Sequence, residues 1–351
     1  MADFLLRRAV PSDAAAVVAL NTEIHPYLVR GEARTNRMIA EPPPGEDWAA
    51  FAVELDGDLV GWVSASRDGR SAEPDFGRIS LLQVHPAARR RGIGTALFEA
   101  AADHLRSVGI RRASTIAVPD GVAFARRRGF EPTRELRYSA LDLTTFTPPH
   151  RHLAPTPAAA AATPASAPGA FVPAAEALPP APGAVKPAAA DLPPAADLPP
   201  GVRLASLIEI TAEELYAADV AAATDEPGDV PPQPLPFAAW CHDIWENPGL
   251  DHRASTIALR GTEIVSFSLV IRDGTRIWSD MTATVPDLRG RGLARRVKTE
   301  ALIRAAATGA TMAFTSNDES NLPMLAVNDR LGYRPVATQF ACVGSLTDPT
   351  T

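Results

Sequence analysis

Cysteine is nearly missing from this chain: Cys241 and Cys342 are the only two in 351 residues. Two cannot make a disulfide framework or a zinc set, and so few suit a reducing compartment. Also missing is any run of about 18 apolar residues, the length a membrane-spanning helix requires. No charged-then-apolar leader precedes the first strand pattern, so the expectation is a cytoplasmic chain with no membrane partner. Positive charge is in deficit too: 34 Lys and Arg stand against 41 Asp and Glu, a formal net charge of -7. That balance gives no general reason to bind nucleic acid. Basic character is confined to patches at Arg89, Arg90 and Arg91 and at Arg289, Arg291, Arg295 and Arg296.

What is plentiful is proline, 34 residues, and its position matters more than its number. From Pro148 to Pro200 the chain is dominated by Ala and Pro, and Ala-Ala-Asp-Leu-Pro-Pro at 189–194 repeats at 195–200. Proline removes backbone donors and helical freedom, and the stretch has neither strand alternation nor a helical stripe. Residues 148–200 therefore read as an extended, semi-rigid linker, with partner binding by the prolines as the other reading. The linker divides the chain into 1–147 and 201–351, each long enough to bury a core.

The two parts carry one device twice. Val84-His85-Pro86-Ala87-Ala88-Arg89-Arg90-Arg91-Gly92-Ile93-Gly94 is matched in pattern by Thr284-Val285-Pro286-Asp287-Leu288-Arg289-Gly290-Arg291-Gly292-Leu293-Ala294. Each follows a strand-like run and precedes an Ala/Leu-rich helical pattern. Glycines let the backbone approach a ligand, the first helix amides are unpaired donors and the helix dipole favours negative charge, so the device suits a diphosphate.

The surrounding pattern also repeats. The first part reads as a strand at 3–8, a helix capped at Pro11-Ser12-Asp13, and an irregular stretch from 21 to 47 that either walls a cleft or is a surface loop. A hairpin at 50–55 and 59–66, a strand at 79–84, a helix at 93–108, a strand at 113–118, a short helix at 121–128 and a strand at 135–143 follow. The second part reads as a strand at 202–207, a helix opened by the capping box Thr211-Ala212-Glu213-Glu214, and a Pro-rich aromatic segment at 225–249. Then come a hairpin at 254–271, a strand at 276–285, a helix at 293–307, a strand at 311–315, a helix at 321–331 and a strand at 335–343. Two copies of this order predict an α/β protein of two like domains, each a mixed central sheet flanked by helices.

Arg-x-x-Gly-x-Gly/Ala is neither the nicotinamide-type glycine fingerprint nor a P-loop. It resembles the coenzyme A loop of the GNAT superfamily of N-acyltransferases, and the element order agrees in both halves. The resemblance implies acetyl-CoA at Val84, Arg89, Arg90, Arg91, Gly92, Ile93 and Gly94 and at Thr284, Val285, Arg289, Gly290, Arg291, Gly292, Leu293 and Ala294, with Arg295 or Lys298 reaching the 3'-phosphate. GNAT domains often carry Asn-x-x-Ala-x-x-x-Tyr-x-x-x-Gly-Phe beside the reacting sulfur. Asn321, Met324, Asn328 and Gly332-Tyr333 have that spacing, with Asn328 at the Tyr position; the first half has Val118, Gly121, Ala125 and Gly129-Phe130 and lacks both polar groups. The plan is similar to that of two-domain acetyltransferases of the mycothiol synthase type, and implies chemistry in the second half beside a degenerate first.

The implied reaction is direct transfer of an acetyl group to the amine of a small molecule. Asp280 is the candidate base or ammonium anchor, and Asn321 and Asn328 stand beside the thiol, which takes its proton from water or Tyr333. Amides near Thr284 and Val285 would polarise the carbonyl. Asp225, Glu226, Trp240 and Trp245 suit an amine acceptor, the tryptophans being equally readable as core. Two other readings remain: transfer to a protein or peptide amine, and a catalytically weak acyl-CoA-binding scaffold.

Overall fold

The structure, a computed structural model of the chain, describes residues 4–148, 198–222 and 228–346. Nearly all of the 148–200 segment, and with it most of the linker reading, lies outside the described residues. In the first half the chain runs β1 (Leu5–Arg8), α1 (Ala14–Ile24), α2 (Glu32–Ala40), β2 (Ala49–Leu55), β3 (Asp58–Arg67), β4 (Phe76–Val84), α3 (Ile93–Ser107), β5 (Arg112–Ala117), α4 (Val122–Arg126) and β6 (Phe130–Asp142). The second half runs β7 (Val202–Ser206), α5 (Ala212–Ala222), α6 (Phe237–Trp240), β8 (Thr256–Arg260), β9 (Glu263–Asp273), β10 (Arg276–Thr284), α7 (Leu293–Ala307), β11 (Met312–Asp318), α8 (Leu322–Leu331) and β12 (Arg334–Ser345).

Local chemistry accounts for most boundaries. Asp56 and Gly57 take φ of 55° and 90°, the left-handed pair that a tight hairpin between β2 and β3 requires. Helix α5 opens on the reciprocal cap read from the sequence: Glu214 N donates to Thr211 Oγ1 at 3.3 Å and Thr211 N to Glu214 Oε2 at 2.8 Å. Helices α3 and α7 bury one stripe each, Ile93, Leu97, Ala101 and Leu105 in one and Leu293, Val297, Ala301 and Ala305 in the other, and each packs on its own half of the sheet. Helix α2 breaks the expectation of irregular chain from 21 to 47. Gly31, extended at φ -80°, starts it, and Thr35 Oγ1 closes its first turn on the Gly31 carbonyl at 3.1 Å.

Two separate sheets were expected; the described residues form one. All twelve strands form a continuous mixed sheet in the order β1-β2-β3-β4-β5-β12-β6-β11-β10-β9-β8-β7. The halves exchange their last strands. β12 pairs antiparallel with β5, β6 pairs antiparallel with β11, and β6 and β12 pair with each other from Arg334↔Ala140 to Gly344↔Phe130. The cores follow: Cys342 and Leu346 pack in the core under α3, and Leu141 and Leu143 in the core under α7. Burying each terminal strand in the other half's sheet leaves neither half an independent apolar core, which is the physical reason that separate sheets do not form. β6 begins earlier than the sequence pattern suggests because Pro132 sits at a slip of register opposite Ala341 and Cys342, where its missing N–H is tolerated; Pro335 sits at the matching slip in β12.

Candidate functional site

Each half brings its loop to a strand that loses regularity midway. In β10 the register against β9 slips between Ser279 and Thr282, making a bulge of Asp280 and Met281. In β4 the slip falls between Ser80 and Gln83, with Leu81 at φ 53°. Past these points β10 parts from its parallel neighbour β11 after Trp278↔Phe314, and β4 parts from β5 after Ile79↔Thr115. Divergence opens a wedge whose main-chain groups have no ladder partner, and each wedge widens into a cleft, of about 1340 Å³ in the first half and about 1210 Å³ in the second. Arg70, Trp278 and Asp280 line both clefts, so the two cavities meet at the bulge of β10.

The loops have the same build. A one-turn helix, Pro86–Ala88 or Pro286–Leu288, is followed by an arginine whose Nε donates to the strand it has just left: Arg89 to Val84 O at 3.2 Å and Arg289 to Thr284 O at 3.1 Å. Then come two left-handed residues, Arg90 (φ 65°) and Gly92 (86°) in one half, Gly290 (74°) and Gly292 (78°) in the other. That backbone turns successive N–H groups toward one concavity at the N-termini of α3 and α7, where no side chain caps them. A Cβ at Gly92 or Gly290 would meet no heavy atom within 4 Å, so the space above the loop is open to a ligand. Of the residues assigned to the cofactor, Val84, Arg89, Arg90, Gly92, Ile93 and Gly94 line the first cleft, and Thr284, Arg289, Gly290, Arg291, Gly292, Leu293, Ala294 and Lys298 the second. Arg91 is exposed off the wall, and Val285 packs in the core cluster of Leu288 and Val265. A diphosphate and an extended pantetheine arm fit what is present: an uncapped amide nest, flanking arginines and a wedge beyond.

The remaining candidates are distributed unevenly. Asp280 is exposed at the meeting of the clefts and accepts a hydrogen bond from Trp278 Nε1 at 3.2 Å. The alternation that would put it on one side with Thr282 and Thr284 is interrupted by the bulge; those threonines pair instead with Ser268 and Ser266, each at 2.9 Å. Asn321 lines the second cleft and caps α8, its Oδ1 accepting from Met324 N at 3.2 Å. Asn328 is buried beneath, and its Nδ2 donates to Asn317 Oδ1 at 2.6 Å, so Asn317 is the group that reaches the cleft. Lys298 turns inward rather than toward solvent: it is 1 % exposed, with Nζ 5.1 Å from the centre of the Tyr333 ring. Burial pulls its pKa down to about 7 against the opposing charge of Asp280. Tyr333 is equally buried, its pKa pushed up by desolvation, and its hydroxyl lies toward Ser279 with no hydrogen bond formed.

The aromatic acceptor candidates stand elsewhere. Trp240 is core, with Nε1 donating to Asp219 at 2.7 Å, and Trp245 packs edge-on against His252 at 4.8 Å; neither lines a cleft. Asp225 and Glu226 lie outside the described residues. Sequence reasoning missed Arg70 and Asn317. It also missed Gln83, buried in the first cleft and donating to Asn21 at 3.0 Å. Only Asn317, at the end of a strand before a helix cap, carried a local signal.

A single sheet whose halves each end a bulged, diverging strand in an amide nest at a helix N-terminus defines the tandem GNAT class of fold. Comparison with solved structures agrees. A tandem GNAT protein from the clavulanic acid biosynthesis pathway superposes with a TM-score of 0.66 at 17 % identity, covering 99 % of each chain. A GCN5-related N-acetyltransferase from Sphaerobacter thermophilus gives 0.63 at 16 %, covering 98 % of this chain and 96 % of the other. The sequence model described as Acetyltransferase (GNAT) family matches residues 17–130. Over that stretch the chain is similar to the GNAT acetyltransferases. It is also 36 % identical over 104 residues to a mycothiol acetyltransferase of Sanguibacter keddieii, and the match spans 28 % of this chain and about a third of that curated relative's length. Among the described residues no helix is long and apolar enough to cross a membrane.

Proposed function

We propose that the protein is an acetyl-CoA-dependent N-acetyltransferase that passes an acetyl group directly to the amine of a small molecule, with the reaction in the cleft of the second half and residues 1–147 and 201–351 as its two GNAT-like units. The observation that carries this reading is the second cleft itself. There the amide nest at Gly290 and Gly292, the bulge at Asp280 and the polar groups Ser279, Thr315, Asn317 and Asn321 line one cavity. Acetyl-CoA supplies the thioester when bound. Forming the amide C–N bond breaks the C–S bond; the nitrogen of the attacking ammonium gives up two protons in all, one before attack and one as the amide forms, the thiolate takes up one, and one is released to solvent.

The chain's own groups account for those protons. Asp280 anchors the ammonium and takes its proton directly or through water, and buried Lys298, with a pKa of about 7, shares the same electrostatic field. Diverging main-chain amides of β10 polarise the carbonyl. The thiolate takes its proton from water, because Asn328 has no acidic hydrogen and Tyr333 is sealed at 1 % exposure. Asn328 is a positioning residue acting through Asn317.

One observation favours a second reading, with the first cleft as the reaction site: the family match falls on residues 17–130, where the loop has both glycines. Thiol release from acetyl-CoA with a panel of small amines separates the readings. Gly292→Val is expected to raise KM for acetyl-CoA about tenfold or more, the loss of one hydrogen bond to a charged group. Gly92→Val carries the same backbone strain, at φ 86° against 78°, so the difference between the two variants reports the reaction site and not the strain. A larger loss from Gly92→Val moves the chemistry to the first half; coenzyme binding without turnover for any small amine leaves transfer to a protein or peptide amine and the scaffold reading.

A further inference from the structure

The end of the α1–α2 connection and the first turn of α2 bring two arginine side chains, Arg30 and Arg34, to the wall of the first cleft. Arg30 and Arg34 both line that cavity, both are half-buried, and among the described residues neither guanidinium makes a hydrogen bond or an ion pair. The neighbouring arginines are engaged. Arg78 holds Asp68 at 2.9 Å, Arg134 holds Asp229 at 2.9 Å and Asp318 at 2.6 Å, and Arg70 faces Asp219 at 3.9 Å. Desolvation and the charge of Arg34 both press against the charged form of Arg30. A guanidinium keeps its proton at ordinary pH, so an anion placed between the two would relieve the crowding of like charges.

Their position says which anion. The backbone carrying them is fastened to the second half: a Cβ on Gly31 would stand 3.3 Å from Asp273 Oδ1, and Arg276 holds the Pro26 and Leu28 carbonyls, the latter at 3.1 Å. The same cavity continues to Trp278 and Asp280, the residues that also line the second cleft. The coenzyme loop of the first half has its own arginines. Two free cations therefore share a cavity with the carboxylate that meets the acceptor nitrogen.

We propose that Arg30 and Arg34 form an anion subsite for the acceptor, which is an amine that also carries a carboxylate or a phosphate, its nitrogen at Asp280 and its anionic group between the two guanidinium groups. Planar guanidinium pairs are the side chains best suited to hold either anion bidentately. This rests on the reading that the chain acetylates a small amine.

Thiol release is measured with butylamine, 4-aminobutanoate and phosphoethanolamine. One of the anionic amines is expected to exceed butylamine in kcat/KM by about tenfold or more, and which one does so identifies the anion. Arg30→Gln and Arg34→Gln are each expected to cut that preference about 10- to 100-fold through KM, with Arg30→Lys retaining part of it. Equal kcat/KM for all three amines, or a preference that survives both variants, overturns the proposal. If the wild type acetylates no amine, the transfer reading fails and the subsite is decided by calorimetry with succinate and inorganic phosphate: binding that both variants lose upholds it, and binding that they keep, or none in the wild type, overturns it. Titration with coenzyme A completes the test. Affinity equal to wild type upholds the acceptor subsite and shows the variants folded; weakened affinity assigns the arginines to the coenzyme and overturns it.

Discussion

Lys298 shows how a single residue changes meaning between sequence and structure. On a helix after an anion loop it reads as a phosphate contact, yet it faces the core, 1 % exposed beside Tyr333. Its pKa falls from 10.5 to about 7. Between those values the unfolded chain keeps a proton that the folded protein has shed, so this residue makes stability rise with pH across that window; below about pH 7 both states are protonated and the full cost of burying the ammonium remains. Lys298→Met, similar in volume, is expected to raise the thermal midpoint, with a larger gain at pH 6 than at pH 10. An equal gain at both would show that the ammonium is not the cause. Asp280, Arg30 at the end of the α1–α2 connection and Arg34 in the first turn of α2 make the complementary case, because the clefts they line draw residues from both halves and no local pattern announces them.

At the level of elements, the exchanged strands bear the most constraint. Gly344 of β12 lies opposite Phe130 of β6, and a Cβ there would stand 2.6 Å from the Gly129 carbonyl oxygen and 2.6 Å from the Phe130 ring. Backbone and a buried ring cannot yield easily. Gly344→Val is therefore expected to cost about 3 kcal/mol, the upper part of the usual range for overpacking, read as a lower urea midpoint. An unchanged midpoint would show that the β6–β12 seam adapts. The loop helices behave differently: α3 and α7 begin at left-handed Gly92 and Gly292 and bury matching stripes, so their ends were legible from Gly and apolar spacing alone. Helix α2 was not legible, since it is short, polar and set between Gly31 and a proline block.

For the whole molecule, exchange of β6 and β12 means that the halves are joined by a shared sheet and shared cores as well as by chain. A protease site placed within 151–195 is expected to give, after cutting, two fragments that co-elute in buffer and separate only in denaturant. Fragments that part in buffer would mean that the seam is too weak to hold them. The same seam brings Trp278 and Asp280 to both clefts, so a route from one cavity to the other depends on the halves staying together.

The sequence by itself determined the repeat, the two glycine loops, nearly every helix and strand, and the likeness to an acetyl-CoA enzyme family. Each of these rests on short-range chemistry: apolar period, left-handed glycine, proline and capping residues within a few positions of one another. Only the tertiary structure decided that β6 and β12 trade places, that Lys298 and Trp240 are interior, and that Arg30 and Arg34 face the cavity of Asp280. Strand exchange leaves each strand's own alternation unchanged, so the pattern in the sequence is the same whichever half the strand completes. Which side chains share a cleft is set by pairing across more than a hundred residues of chain, and no local spacing encodes it.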